Sequence, residues 1–480
     1  MNLLKLGAVC LALLLALTAA GCSSEEVNIE EVESLTQVVT EAELHALKEY
    51  PNLKTLDITG STCYPAIMKF MEDRPQVDVT YTVALGSSTV SNKDSSAILA
   101  PEGCDYATLQ KNLRFLPALK ELTLTQTILS PEELANLQNG FSRITVSYTV
   151  DILGTEYASD ADSVTLSGME SSQIGEIAEK LALLPQLSEA ELMDSSGSCT
   201  LSMTDVKALM DAAPEVNFHY TFDLFGKQLS TADESVEFVK ADIGNGGEDQ
   251  IRQALDILPN CKRFLLDSCG LHNETLAGIR EDYPNTKVAW RVKFGKYSML
   301  TDAEVLRAVY NVFDDTTEDL RYCNDVKYID MGHNEELSNI SFINHMPKLE
   351  IVILSGSLIS DLSCFANCPN LEFLEIAYCS NIKDVSPLKN CEKLRFLNLS
   401  FTKVEDLMPL DNLPLERFVY LKPKASHEEQ QFFKDFHPDC WTRFTGEDPY
   451  SLGWRYDDIG ETFSEYYKKM REIFGYDKMN

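Results

Sequence analysis

Thirteen cysteines, seven histidines and 75 carboxylates are the side chains of this chain that could bind a metal, attack a carbonyl or relay a proton. Each of those chemistries needs several groups aimed at one point, so spacing is the first test. His45, His219, His272, His333, His345, His427 and His437 form no HExxH pair, and no two cysteines stand as CxxC. No GxSxG elbow is present to raise a serine nucleophile. "GNGGED", from Gly244 to Asp249, has too few matching glycines for a dinucleotide loop and lacks the Lys-Ser/Thr of a phosphate loop, so it reads as a turn. "HPDCW", from His437, joins His, Asp and Cys in sequence, but adjacent side chains point apart, and a helix-to-strand turn is expected. The acidic pairs Glu25-Glu26 and Asp314-Asp315 lie in polar stretches and read as solvated loops. Nothing selects one carboxylate pair for glycoside hydrolysis. The expectation is a protein without catalytic residues, cofactor or metal.

The ends and the charge suggest where such a protein works. "MNLLKLGAVCLALLLALTAAGCSS" carries one early cation, Lys5, then an apolar run from Leu6 to Ala20 that is short for a membrane span and reads as a signal-peptide core. "AAGC", Ala19 to Cys22, resembles a bacterial lipobox, although Ala19 stands where that motif usually has Leu. The resemblance implies lipidation of Cys22 and anchoring by acyl chains at the extracytoplasmic face of a bacterial membrane. With 41 basic against 75 acidic residues, the net charge of −34 opposes contact with nucleic acid or with anionic lipid surfaces. Setting aside Cys10 and Cys22 leaves eleven cysteines, an odd number spread along the chain; they read as free thiols used as small buried hydrophobes.

What would position any functional side chain is a repeat. "VKYIDMGHN", "LEIVILSGS", "LEFLEIAYC", "LRFLNLSFT" and "LERFVYLKP" begin at Val326, Leu349, Leu371, Leu394 and Leu415, at offsets of 23, 22, 23 and 21 residues. Places one, four and six are apolar in each, and places four and six point to one side of a short strand. Place nine of the first four is Asn334, Ser357, Cys379 and Thr402, residues that can satisfy the backbone at a bend. Similar tails follow ("DLSCFANCPN", "DVSPLKNCEK") and would return the chain with their own apolar residues inward. One turn cannot bury its apolar side alone; stacked turns share a core. The same phrase recurs upstream at Leu53, Leu119, Leu187 and Cys261, at steps of 66, 68 and 74 residues, between helix-like stretches. Each upstream phrase is followed by an alternating strand ending at Gly86, Gly154, Gly226 or Gly295. Three strand-like pieces per long unit match the spacing of the short turns, which suggests one solenoid from about Glu41 to Lys424. A separate α/β repeat domain for the upstream units stays open.

The LxxLxLxxN/C core resembles the internalin-like leucine-rich repeat of secreted proteins and lipoproteins of Gram-positive bacteria, closely over 326–421 and loosely over 41–300. The resemblance implies an α/β leucine-rich-repeat solenoid with a C-terminal cap. The expected parts are a signal peptide at 1–21, a tether at 22–40, long units at 41–300, short repeats at 301–425 and a cap at 426–480. Within the cap, Phe463, Tyr466, Met470 and Ile473 would share one helix face, and Trp441 and Trp454 would pack. Fold does not give function, but the resemblance implies a surface interaction module. Places three and eight would then put Tyr328, Ile351, Phe373, Tyr378, Phe396, Phe401 and Arg417 on the concave sheet as binding residues for a protein. A glycan ligand, or an envelope-structural role without a ligand, is the alternative. Covering of this column by the cap would turn it into core.

Overall fold

The computed structural model describes residues 28–100, 105–193 and 201–479. The signal peptide, Cys22 and the residues just after it lie outside the described residues. The chain divides into two compact units, the first ending at Phe222 and the second beginning at Asp223. That division falls inside the 41–300 stretch that the long repeats mark out. Folding also begins earlier than the tether reading expects, since Ser34–Thr36 pairs in parallel with Thr55–Asp57.

Each long unit is a module of three parallel strands with helical returns. In the first unit, Ser96–Leu99 pairs with Glu121–Leu124, which pairs with the start of Thr145–Ile152. The far half of that third strand turns antiparallel against Thr155–Ala158. The second unit opens on the same plan, with Ser235–Val239, Arg263–Asp267, Lys287–Phe294 and the antiparallel Tyr297–Leu300. Among the described residues the parallel pairing of these strands stays within each module, and the hairpin ends it. The cause is local. Leu153 and Gly154 both take positive φ (53° and 81°), as do Phe225 and Gly226 (52° and 79°), and two such residues make a tight hairpin rather than a crossover. The helices between strands bury their apolar stripe. The Pro131–Gly140 helix, for example, is started by a Ser130–Glu133 capping box and buries Leu134 and Leu137.

From Val305 onward the hairpins stop and the sheet becomes continuous. Val305–Arg307, Tyr328–Asp330, Ile351–Ile353, Phe373–Glu375, Phe396–Asn398, Arg417–Val419 and Trp441–Arg443 form seven parallel strands in strict order. Tyr328, Ile351, Phe373, Phe396, Arg417 and Trp441 are direct partners along one row. The sheet thus starts one strand before the first repeat phrase and ends one strand inside the expected cap. Place four aligns Ile329, Val352, Leu374, Leu397 and Phe418, all fully buried. The returns are single 3₁₀ turns, such as Ser363–Asn367 and Ser386–Asn390, held at entry by side chains. Asn339, Asp361, Asp384 and Asp406 each accept from the backbone N–H two residues on, at 2.8–3.0 Å. Three of the four place-nine side chains satisfy backbone as expected, and the fourth, Ser357, meets Cys379 Sγ at 3.3 Å. Asn334 Nδ2 donates to Ala308 O and Met331 O, Thr402 Oγ1 to Leu399 O, and Cys379 Sγ to Leu354 O.

Candidate functional site

The face of this sheet that carries places three and five is not open to solvent. The helix His427–Phe436 packs Phe433 on Phe418, the Trp441 strand adds to the sheet, and residues 446–479 then run back across the face. Ile351, Phe373 and Phe396 join Trp454, Met470 and Phe474 in one apolar cluster, with Tyr328, Phe401, Tyr466 and Ile473 packed against it. The expectation of an exposed binding column at Ile351, Phe373 and Phe396 is therefore corrected: they are 0%, 2% and 8% exposed. The physical reason is that the Glu465–Phe474 helix carries an apolar stripe of its own, and each apolar surface removes the other from water. Tyr466, Met470 and Ile473 share that stripe. Phe463 precedes the helix and packs on Tyr456 and Tyr467 instead.

Place five, the polar column, meets a specific partner at each polar level. The Glu375 carboxylate, 1% exposed, accepts from Trp454 Nε1 at 2.5 Å, Ser355 Oγ at 3.0 Å and Arg455 Nη2 at 3.4 Å. Asp330 Oδ2 accepts from Tyr476 Oη at 2.7 Å, and Asn398 Nδ2 donates to Pro449 O at 3.0 Å. Arg417 donates to Gly453 O at 3.2 Å and pairs with Asp458 at 2.6 Å, while its guanidinium lies over Trp441. Tyr466 stacks on Phe373 at 5.1 Å and packs tilted against Phe396 at 4.2 Å. Desolvation pushes the phenols of Tyr466 and Tyr476 above their usual range, with nearby carboxylates adding to it. Tyr466 and Trp454 were expected to pack within the cap, whereas Arg455 and Tyr476 carried no signal in the sequence. The amphipathic pattern of the last helix was the signal for Tyr466, but nothing in the sequence named the sheet residues that it and Trp454 would meet.

Place eight is different. Tyr310, His333, Gly356, Tyr378, Phe401 and Lys422 occupy it along the edge of the sheet, and every one takes a left-handed φ, between 53° and 77°. For bulky residues that conformation costs about 1–2 kcal/mol each. It aims the side chains outward: Tyr310 and Tyr378 are 54% and 44% exposed, and His333 is exposed too. The rings stack in pairs, Tyr310 on His333 at 5.2 Å and Tyr378 on Phe401 at 4.3 Å. Of the expected binding residues, then, Tyr378 reaches solvent, Phe401, Tyr328 and Arg417 are half-buried, and the other three are core.

The candidate chemical residues do not converge. His437 is 9% exposed, with Nε2 3.1 Å from Leu410 O, and burial holds its imidazole below the usual range; it caps the turn that leads into the Trp441 strand. Gly244 to Asp249 forms a short turn and the start of a helix. Asp314 is used structurally, accepting from Ser338 and Asn339. Among the described residues no group of three or more His, Cys, Asp or Glu is arranged to hold a metal ion.

Comparison with known proteins agrees with this geometry where it has a family to offer. The family described as Leucine Rich repeats (2 copies) matches residues 369–414. No curated protein matches. Similar solved structures include an internalin of Listeria monocytogenes, 13% identical, covering 90% of this chain and 88% of that one at a TM-score of 0.25. A leucine-rich-repeat protein of Leptospira interrogans is 15% identical over 87% of this chain and 97% of that one, again at 0.25. The functional domain of InlJ from Listeria monocytogenes is 11% identical over 75% of this chain and 55% of that one, at 0.22. The chain has an α/β leucine-rich-repeat fold, with parallel strands one repeat apart and helical or 3₁₀ returns.

Proposed function

We propose that this chain is a non-enzymatic interaction scaffold, held by lipid on Cys22 at the outer face of a bacterial membrane, that binds a protein partner. The observation that supports the reading is the exposed aromatic row at place eight. The fold buries apolar side chains at nearly every other repeat place, yet it accepts left-handed strain to present Tyr310, His333 and Tyr378 to solvent. Exposed aromatic anchors of this kind are favoured at protein interfaces. The binding face moves accordingly, from the covered sheet to its edge.

Proximity labelling on intact cells expressing the chain fused to a labelling enzyme tests the reading. A specific extracytoplasmic protein should be tagged, and the tagging should fade in a Tyr310→Ser, Tyr378→Ser double variant that still folds. Labelling that is unchanged in that variant, or that reports only abundant bystanders, would sink the proposal. Recovery of a polysaccharide instead would favour glycan capture. Incorporation of an alkyne-tagged fatty acid that disappears in Cys22→Ser tests the anchor.

A further inference from the structure

The aromatic row at the sheet edge lacks one rung. His333 and Tyr378 lie two repeats apart, and between them place eight is Gly356. Parallel strands are about 4.8 Å apart, so the two rings bracket a gap of about two stacking steps where every neighbouring step is filled. A Cβ added at Gly356 would meet only ordinary contacts, with His333 Cα at 3.7 Å and His333 Nδ1 at 3.8 Å. The imidazole thus stands on one side of Gly356 and the Tyr378 phenol on the other, with the Tyr450 ring 6.0 Å from Tyr378. We propose that this notch is a docking slot for one arginine guanidinium from a basic polypeptide partner, held flat between His333 and Tyr378.

Shape, charge and the molecule's own habits converge on that group. A slot one ring thick selects a planar entrant, and the guanidinium is the planar cation among side chains. Carboxylates follow both rings: Glu335 and Glu336 come next in sequence after His333 and are exposed, while Asp448, and Glu447 in its pair with Lys422 at 3.0 Å, act electrostatically on Tyr378. The chain as a whole carries −34, which steers a basic segment towards it and repels an acidic one. In the same unit guanidinium groups already lie over rings, Arg455 at 4.4 Å from the Tyr450 centroid, Arg471 at 4.6 Å from Phe463 and Arg307 at 4.9 Å from Tyr476. An ammonium is a compact, strongly hydrated charge and would leave most of the slot empty. The inference rests on the scaffold reading and names its surface and partner chemistry.

Titration of the full chain with fluorescent hexa-arginine and hexa-lysine, at roughly 0.15 M ionic strength where unspecific attraction is screened within about 8 Å, is the test. Hexa-arginine should bind roughly tenfold more tightly, as expected for about 1.4 kcal/mol of added cation–π contact. Gly356→Tyr supplies the missing rung, at a φ of 77° close to the 62° that Tyr378 itself takes, and should abolish the preference while leaving hexa-lysine binding unchanged. If that variant does not fold, His333→Ser and Tyr378→Ser should each reduce the preference in folded protein. Equal affinity for the two peptides, or a preference that survives in folded Gly356→Tyr or in both serine variants, overturns the slot. Failure here with a labelled partner still recovered on cells removes the slot alone. Failure of both removes the scaffold reading.

Discussion

Glu375 shows how one side chain changes meaning with its surroundings. At place five of a strand it should face water, but the structure closes Trp454 and Arg455 over it and leaves three donors aimed at a buried carboxylate. Removing one partner of such a set strands the others, so Glu375→Ala is expected to cost about 3–5 kcal/mol, read as a lower urea midpoint. An unchanged midpoint would mean that the C-terminal segment is not latched there. Asp267 gives a pH signature. Arg291 donates to both its oxygens at 2.8 Å, and that pairing holds its carboxyl below the usual range. A depressed carboxyl adds stability that is complete above its unfolded pKa near 4 and is lost as pH falls through the lower folded value. Asp267→Asn should therefore lower stability at neutral pH and flatten the acid limb of a stability-versus-pH curve. A parallel limb in the variant would assign the acid loss elsewhere. The thiols should be silent. Burial pushes Cys323, Cys364, Cys368, Cys391 and Cys440 up to about 12, so at neutral pH they are protonated as well as inaccessible. Iodoacetamide should modify these five in urea and leave them untouched in native protein; native labelling at Cys368 or Cys391 would contradict the packed stack.

At the scale of elements, the segment 446–479 decides what the sheet is for. Gly453 takes a φ of 72°, and any Cβ there would run into the Trp441 indole. Gly453→Ala combines left-handed strain of about 1–2 kcal/mol with overpacking of about 1–3 kcal/mol, so the segment should lift from the sheet. Rising fluorescence of an apolar dye would report the exposed column, and a silent dye would argue against close docking. Phe396→Ala, which would spare stability if Phe396 were a free binding residue, should instead cost about 3–5 kcal/mol as core. Elements elsewhere are joined by single hydroxyls. Tyr81 Oη, between the short strands Asp78–Thr80 and Thr82–Leu85, reaches Phe115 O at 2.6 Å, and Tyr148 Oη, in Thr145–Ile152, reaches Leu183 O at 2.7 Å, each tying its strands to the helical end of the next module. The repeat phrases made the strands and returns readable, because places four and six obey a two-residue period that any strand imposes. The first strand of the long sheet escaped notice because only Leu306 of its repeat places is a leucine, with Ala303 at place one and Ala308 at place six.

For the whole molecule, one charge and one repeat govern the expectations. Stacked turns couple mainly to their neighbours, so protection should follow coverage. Amide exchange ought to be slowest in Ile351–Ile353, Phe373–Glu375 and Phe396–Asn398, which have core on one side and the C-terminal segment on the other. Exchange there as fast as in Ser34–Thr36, a three-residue strand with no fully buried member, would contradict the covered face. The same coverage leaves exposed the sheet edge, with its rings and Gly356, which is where the proposed partner would meet the chain.

What the amino-acid order settled unaided was the repeat: its register, its inward leucines, its ninth place at the bend and its returns with apolar residues of their own. Those follow from contacts within one turn or between adjacent turns, so local spacing records them. Only the tertiary structure decided which face stays open. That choice depends on Trp454 meeting Glu375 across 79 residues and Tyr476 meeting Asp330 across 146. No periodicity links positions so far apart. An apolar column and an amphipathic helix each look like a surface until burial of one against the other removes both from water.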